Sequence, residues 1–386
     1  YLRNLFYETH NLLPDFSLHL GAGTNIYNLS YYGLFNPIIF IAYLFPKIKM
    51  LDFIITSMGL IVLISTSMFY FYLRKHNYSY LISFIGAFLF LCSGPLIFHS
   101  HRHIMFMDYF PFLLLGFYGI DLYFDKKRSY LLIISIVLMI FTSYFYSVSG
   151  MVVLIIYCIF QYLNRNKKVT FKSLFIFLLK YSICFIIPLL ITSILIIPTG
   201  YILLSGREVN SLAYTFFDYI KPHMFLLYGP YTIGLSLFSL ITLIVMVFSK
   251  NKAYKFLSIL LLILVISPIP SFILNGLLYI SPKSLIPFLP LTLLLVVEFI
   301  DILHNKYKIT NILIVYLIGS SFVLCIINNK CEDYILKSDI DDSFYSNYSN
   351  ITNKIEKDNL YRVNSSYIDK LYINRVGNNV DYKTTS

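Results

Sequence analysis

The chain has 386 residues, of which 58% are hydrophobic and only 13% charged, with a formal net charge of +11. Soluble domains carry about 25% charged residues and few long apolar runs, so this composition excludes a soluble enzyme and indicates an integral membrane protein. The basic residues fall in short clusters between apolar runs rather than on one continuous face, which reads as membrane topology and not as nucleic-acid binding.

Residue 1 is Tyr rather than Met and no signal peptide precedes the first loop, so a segment upstream of it is expected. Residues 1–51 read as a first extracytoplasmic loop. It carries Asp15, the glycine pair of Gly21-Ala-Gly23-Thr-Asn25, then Tyr31-Tyr32 and Asn36-Pro37. Two glycines allow backbone amides close to a phosphate, but the pattern of a dinucleotide-binding turn is absent. A tight glycine turn leading to a short interfacial helix at 37–45 is the plainer reading.

Hydropathy then places roughly ten apolar segments, near 52–74, 79–98, 104–124, 129–147, 148–163, 173–204, 229–249, 254–273, 284–302 and 309–328. Runs such as Leu131 to Ile140 are apolar at nearly every position, which fits a lipid-embedded helix and not the alternation of a membrane β-barrel. The expected architecture is an all-α polytopic bundle over 52–328. The 148–163 segment is short for a span, with half of a re-entrant hairpin as the alternative. The connections at Arg74/Lys75, Lys126/Lys127/Arg128, Arg165/Lys167/Lys168/Lys172, Lys250/Lys252/Lys255 and Lys306/Lys308 are basic, so these loops are expected in the cytoplasm.

The other face then holds residues 1–51, the stretch His99 to His103, the loops 205–228 and 274–283, and the tail. Residues 329–386 hold nine of the 19 acidic residues and read as the start of an extracytoplasmic domain continuing past residue 386. Sequons at Asn347, Asn350 and Asn364 are what an Asn/Ser-rich tail yields by chance. The five cysteines form neither a disulfide framework nor a CxxC metal site. No inverted repeat of transporter type is evident.

Ionisable groups beside a bilayer are costly and so are functional candidates. Before the tail the outer acids are Glu8, Asp15, Asp52, Asp108, Glu208 and Asp218, carboxylates able to take a proton from a hydroxyl. Arg102, His101, His103, Arg207, Lys221 and Lys283 are the groups suited to an anionic headgroup. Asp108 lies five residues into an apolar run, where it should face a cavity or a cation such as Arg102, and a structural ion pair is the competing reading. Histidines at 99, 101 and 103 lack a fixed carboxylate or Cys to complete a metal site. The loop 205–228 reads either as an interfacial helix that guides a headgroup or as a cover over the bundle. Glu298, close to Asp301 and the basic Lys306/Lys308, reads as part of the charged cytoplasmic interface and is left out of the site.

These residues resemble the YfhO family of bacterial membrane proteins over essentially the whole chain. The glycine pair, the aromatic pair and Asn36-Pro37 look like the family's first-loop motifs. Met107-Asp108 with Pro111 and Gly116, Thr142-Ser-Tyr144-Phe-Tyr146, Asn275-Gly276 with Tyr279 and Lys283, and Tyr361-Arg362-Val363 resemble later ones. The resemblance implies a GT-C-like glycosyltransferase of the bacterial cell membrane, its active site facing outside. Its partners would be a polyprenyl-phosphate-linked sugar, a cell-wall polymer acceptor such as teichoic acid and the lipid bilayer, with no nucleic acid. No cofactor is implied with certainty, and a divalent metal is optional. The resemblance also implies that an Asp-x-x-x-Gln stretch precedes Tyr1-Leu2-Arg3, which puts the family's catalytic base upstream of residue 1 and leaves Asp15 and Asp108 as the best remaining carboxylates, Asp108 the better matched. Lys283 stands where the family usually has Arg, and a lysine holds phosphate without the bidentate fork. The rival readings are a flippase for a lipid-linked sugar and a scaffold for a partner glycosyltransferase.

Overall fold

The computed structural model describes residues 2–12, 16–17, 24–25, 27, 35–100, 104–166, 168–204, 218–219, 231, 233, 237–277, 279–307 and 311–328. The chain divides into two compact units, residues 31–329 and residues 1–30 with 330–386. In the smaller unit, helix α1 spans Leu2–Thr9, and its last turn is closed by the Thr9 hydroxyl donating to the Leu5 carbonyl. Strands β1 (Phe16–Ser17) and β2 (Thr24–Asn25) pair antiparallel, a small departure from the all-helical expectation. The outer domain expected from residue 329 lies outside the described residues.

The larger unit is a helical bundle. Helix α2 (Pro37–Ile41) continues into a 3-10 turn at Ala42–Leu44, the short helix expected at 37–45. It is followed by α3 (Met50–Lys75), α4 (Tyr80–Leu91), α5 (Gly94–His99) and α6 (Phe110–Lys126). Next come α7 (Tyr130–Thr142), α8 (Tyr144–Arg165), α9 (Phe171–Tyr181), α10 (Ile183–Ile191) and α11 (Ser193–Leu204). The last described helices are α12 (Leu237–Met246), α13 (Lys252–Ile266), α14 (Pro268–Leu274), α15 (Leu289–Tyr307) and α16 (Asn311–Asn328).

Local chemistry sets the helix ends. Helix α3 opens with Asp52 in its first turn and closes with Arg74 and Lys75, each sign matching the helix dipole. Ser79 caps α4 by accepting from the Ile82 amide, and Asn251 caps α13 by accepting from the Ala253 amide. Thr170 and Ser173 form a reciprocal capping box on α9. The apolar run expected as one segment at 173–204 breaks at Ser182 and Thr192. Pro188 and Pro198 each remove an amide donor from the run, and the Thr192 hydroxyl donates to the Pro188 carbonyl.

Five helices among the described residues are long and apolar enough to cross a membrane. They are Met50–Lys75, Ile104–Lys126, Tyr144–Arg165, Phe171–Ile191 and Pro282–Asn305. Lys252–Ile266 and Pro268–Leu274, bent by 85° at Ser267, make a sixth if counted as one span. The segments expected near 79–98 and 129–147 instead form helices of 12 and 13 residues. At 1.5 Å per residue these reach about 20 Å, short of a bilayer core of about 30 Å. The segment expected at 148–163 is the body of the 22-residue α8, so its shortness was only apparent.

Burial separates the lipid-facing surface from the core. Of the apolar window in Pro282–Asn305, 78% is buried in the bundle, against 17% for Phe171–Ile191. Phe171, Phe248 and Ile312 are largely exposed, as side chains facing hydrocarbon would be. Small residues bring helix backbones together. A Cβ on Gly119 of α6 would lie 2.6 Å from the Leu132 amide nitrogen of α7, so only glycine permits this approach.

Candidate functional site

The basic loops meet at one end of the bundle. Asp121 of α6, wholly buried, accepts from Lys75 Nζ at 3.2 Å, Tyr157 OH at 2.7 Å and Gln161 Nε2 at 3.0 Å, and pairs with His76 Nε2 at 2.9 Å. The Tyr72 hydroxyl donates to that of Tyr157 at 2.5 Å. Arg165 pairs with Asp125 at 2.5 Å, and Asn251 donates to Asn164 at 3.0 Å. Beside them the Tyr78 hydroxyl donates to Glu298 Oε2 at 2.7 Å and lies 3.1 Å from the Tyr254 hydroxyl. Burial, then the neighbouring Tyr254 and Glu298, push the Tyr78 phenol well above its usual range, so it keeps its proton and remains a donor. The loops grouped by charge in the sequence are therefore grouped in space.

Sequence reasoning missed Asp121 and read Glu298 as an ordinary interfacial residue. The signal was a second carboxylate, beyond Asp108, inside the apolar run 104–124, which calls for a buried partner. Helix α6 carries Asp121 at this end and follows directly from Asp108 at the other. Thirteen residues of helical rise separate them by about 20 Å.

At the end opposite the basic loops, Asp108 is wholly buried, its amide donating to the Ile104 carbonyl at 3.0 Å. Its Oδ2 accepts a hydrogen bond from Asn36 Nδ2. Asn36 Oδ1 in turn accepts from the Ile38 amide at 2.9 Å and so caps α2, where Pro37 takes the first helical position. Phe35 stacks on Phe141 at 6.0 Å, fixing the entry to α2 beside the end of α7. One asparagine thus ties the end of the first loop to the start of α6. Two residues singled out separately in the sequence, Asn36 and Asp108, turn out to be partners.

No ion pair to Asp108 is found among the described residues, and its Oδ1 has no hydrogen-bond partner. Leaving a buried acceptor unmatched costs about 1–3 kcal/mol. The adjacent Tyr109 hydroxyl, Ser93 Oγ, Ser149 Oγ and Asn275 Oδ1 are likewise buried and without a partner. All lie toward this end of their helices. Buried polar groups are normally satisfied, so Asp108 Oδ1 and the adjacent Tyr109 hydroxyl, both without a partner among the described residues, mark a place where a polar ligand has something to bind.

A chain of rings runs from Asp108 to Lys283. Tyr109 stacks on Tyr146 at 4.9 Å, and Tyr146 meets Phe106 edge-on at 5.2 Å. Phe106 stacks on His99 at 4.4 Å, and both lie against Tyr231, at 5.9 and 5.2 Å. Lys283 Nζ lies 5.0 Å from the Tyr231 ring centroid, a cation–π contact. The loop bearing Lys283 is pinned by Asn275, whose Nδ2 donates to the carbonyls of Ser271 and Ser281 at 2.7 and 2.8 Å. It turns at Gly276 and Leu277, with φ of 72° and 62°, conformations that favour glycine at the first position. The aromatic turn and the Asn275-Gly276 loop therefore converge on the same end as Asp108.

Of the other expected site residues, Asp15, Gly21, Gly23, Tyr31, Tyr32, His101, Arg102, His103, Arg207 and Lys221 lie outside the described residues. So does most of the loop 205–228. Among the described residues no group of three or more His, Cys, Asp or Glu side chains is arranged to hold a metal ion. Cys92, Cys158 and Cys184 are buried.

The family model described as bacterial membrane protein YfhO matches residues 1–277, and the chain belongs to that family. No curated protein and no solved structure matches the chain.

Proposed function

We propose that this YfhO-family protein is a membrane glycosyltransferase of GT-C type that moves a sugar from undecaprenyl-phosphate-sugar to an extracytoplasmic cell-wall polymer such as teichoic acid. The reaction site is the end of the bundle opposite the basic loops, and the positive-inside rule puts that end outside the cell. The observation that carries the reading is Asp108: a buried carboxyl group held through one oxygen by Asn36, its other oxygen without a partner among the described residues, beside the likewise unpartnered Tyr109 hydroxyl.

In this reading the acceptor hydroxyl attacks the anomeric carbon with inversion, and its proton passes to Asp108 Oδ1. The bond between that carbon and the phosphate oxygen breaks, releasing undecaprenyl phosphate. Lys283 stabilises the charge on the departing phosphate, together with Arg102, His101, His103, Arg207 and Lys221. Because Asp108 is wholly buried, the acceptor reaches it only after residues packed over it move, as in enzymes whose sites close around substrate. Asp15 is the competing base.

The test is transfer of labelled sugar from synthetic undecaprenyl-phosphate-sugar by the purified protein alone. Transfer supports the enzyme. Movement of the lipid-linked sugar across proteoliposomes without transfer supports a flippase, and transfer only with a second protein supports a scaffold.

A further inference from the structure

The basic end of the bundle holds a cavity of about 240 Å³ that the proposed reaction does not use. Tyr72, Tyr78, Phe160, Tyr254, Glu298 and Asp301 are among the residues that line it, and Glu298 accepts from the Tyr78 hydroxyl there. Phe160 meets Tyr254 edge-on at 5.1 Å, so two of the walls are already locked together. We infer that this cavity binds an organic ammonium group, independently of the transfer reaction at the other end.

Three features select that ligand. Its volume lies below the about 300–1,000 Å³ of pockets for drug-sized molecules, so the occupant is of headgroup size. Its lining is acidic on balance: two carboxyl groups face one imidazole, His76, and the His76 Nε2 is committed to Asp121 at 2.9 Å. Lys75 is held by the same Asp121 at 3.2 Å, and Arg74 is drawn off to the Tyr78 carbonyl and the Tyr80 ring, so these two cations are engaged elsewhere. Aromatic faces beside carboxylates attract an alkylammonium through both cation–π and charge interactions. A metal ion is the poorer fit, because Glu298, Asp301 and His76 line one cavity yet do not converge as a ligand set.

An ammonium group reaches this end either as a soluble amine or as the headgroup of a lipid. The experiment places the purified protein in nanodiscs of phosphatidylglycerol, which carries no amine, and titrates choline against its uncharged isostere 3,3-dimethylbutan-1-ol by ligand-observed NMR. Choline is expected to bind about tenfold more tightly than the isostere. Both Glu298→Gln and Asp301→Asn are expected to weaken choline by a similar factor. Asp301 accepts from Asn305 on an exposed turn, so its variant keeps the test valid if Glu298→Gln fails to fold. A repeat in nanodiscs containing phosphatidylethanolamine assigns the source: competition with choline identifies a lipid headgroup, and unchanged choline affinity identifies a soluble amine. Absent choline binding, equal binding of the isostere, or wild-type affinity in the folded Asp301→Asn protein overturns the inference.

Discussion

Asn36 and Asp108, 72 positions apart in sequence, share one buried hydrogen bond, and the same asparagine caps the helix that begins at Pro37. A single side chain thus couples the end of the first loop to the start of α6. Replacing Asn36 with Ala removes both bonds and leaves Asp108 with neither oxygen partnered. Thermal denaturation of the purified protein should show a loss of about 1–3 kcal/mol. Asn36→Asp should lose more, because it sets two carboxyl groups against each other. An unchanged melting temperature in both variants would show that the bond does not hold the loop.

Asp121 is expected to be structural. It gathers Lys75, His76, Tyr157 and Gln161 around one buried carboxylate. Asp121→Leu strips all four of their shared acceptor and should cost about 3–5 kcal/mol. Asp121→Asn should cost less, since its amide oxygen still accepts from Tyr157. Sugar transfer per folded molecule should remain at wild-type level in the Asn variant. A folded, fully stable Asp121→Asn protein without transfer would bring this end of the bundle into the reaction.

Two glycines should respond in opposite directions to alanine. At Gly119 the new methyl meets Leu132 backbone at 2.6 Å, and backbone yields little, so Gly119→Ala should destabilise by about 1–3 kcal/mol. At Gly59, inside α3, nothing lies within 4 Å of the new methyl. Helix propensity then favours Ala by about 1 kcal/mol. Chemical denaturation of both variants checks the pair, and equal effects would mean that α6 and α7 do not approach as described.

Orientation is tested with single cysteines in a background lacking the native five. Lys47 and Lys127 are exposed, on the first-loop side and the basic-loop side respectively. A membrane-impermeant maleimide applied to intact cells should label Lys47→Cys and leave Lys127→Cys unlabelled until the cells are lysed. Labelling of Lys127→Cys in intact cells would reverse the assigned topology.

Much of this was legible in the sequence because membrane spans and charge bias are one-dimensional signals. The Arg74/Lys75 loop meets Asp121 while Arg165 pairs with Asp125 beside it, as the charge pattern predicts, and Asn36, Asp108 and Lys283 stand out by residue type alone. Their relationships were not legible, since nothing in a hydropathy trace reports that position 36 packs against position 108. Hydropathy is also blind to bends: 254–273 reads as one apolar run, yet Ser267-Pro268 turns it by 85°. Likewise 173–204 reads as one segment, while Pro188 and Pro198 divide its hydrogen bonding. Asp121 was overlooked because the search for functional acids followed the outer ends of the helices. A carboxylate deep within a span was the better guide.

The central claim rests on Asp108, and one substitution tests it. Asp108→Asn keeps an oxygen able to accept from Asn36, so the fold should persist, but it removes the group that takes the proton. Transfer of radiolabelled sugar from undecaprenyl-phosphate-sugar to teichoic acid is measured for wild type and variant, with melting temperature as the control. The account predicts transfer by wild type and a loss of about 100-fold or more in a folded variant. Equal transfer by a folded Asp108→Asn protein, or none by wild type, would contradict it.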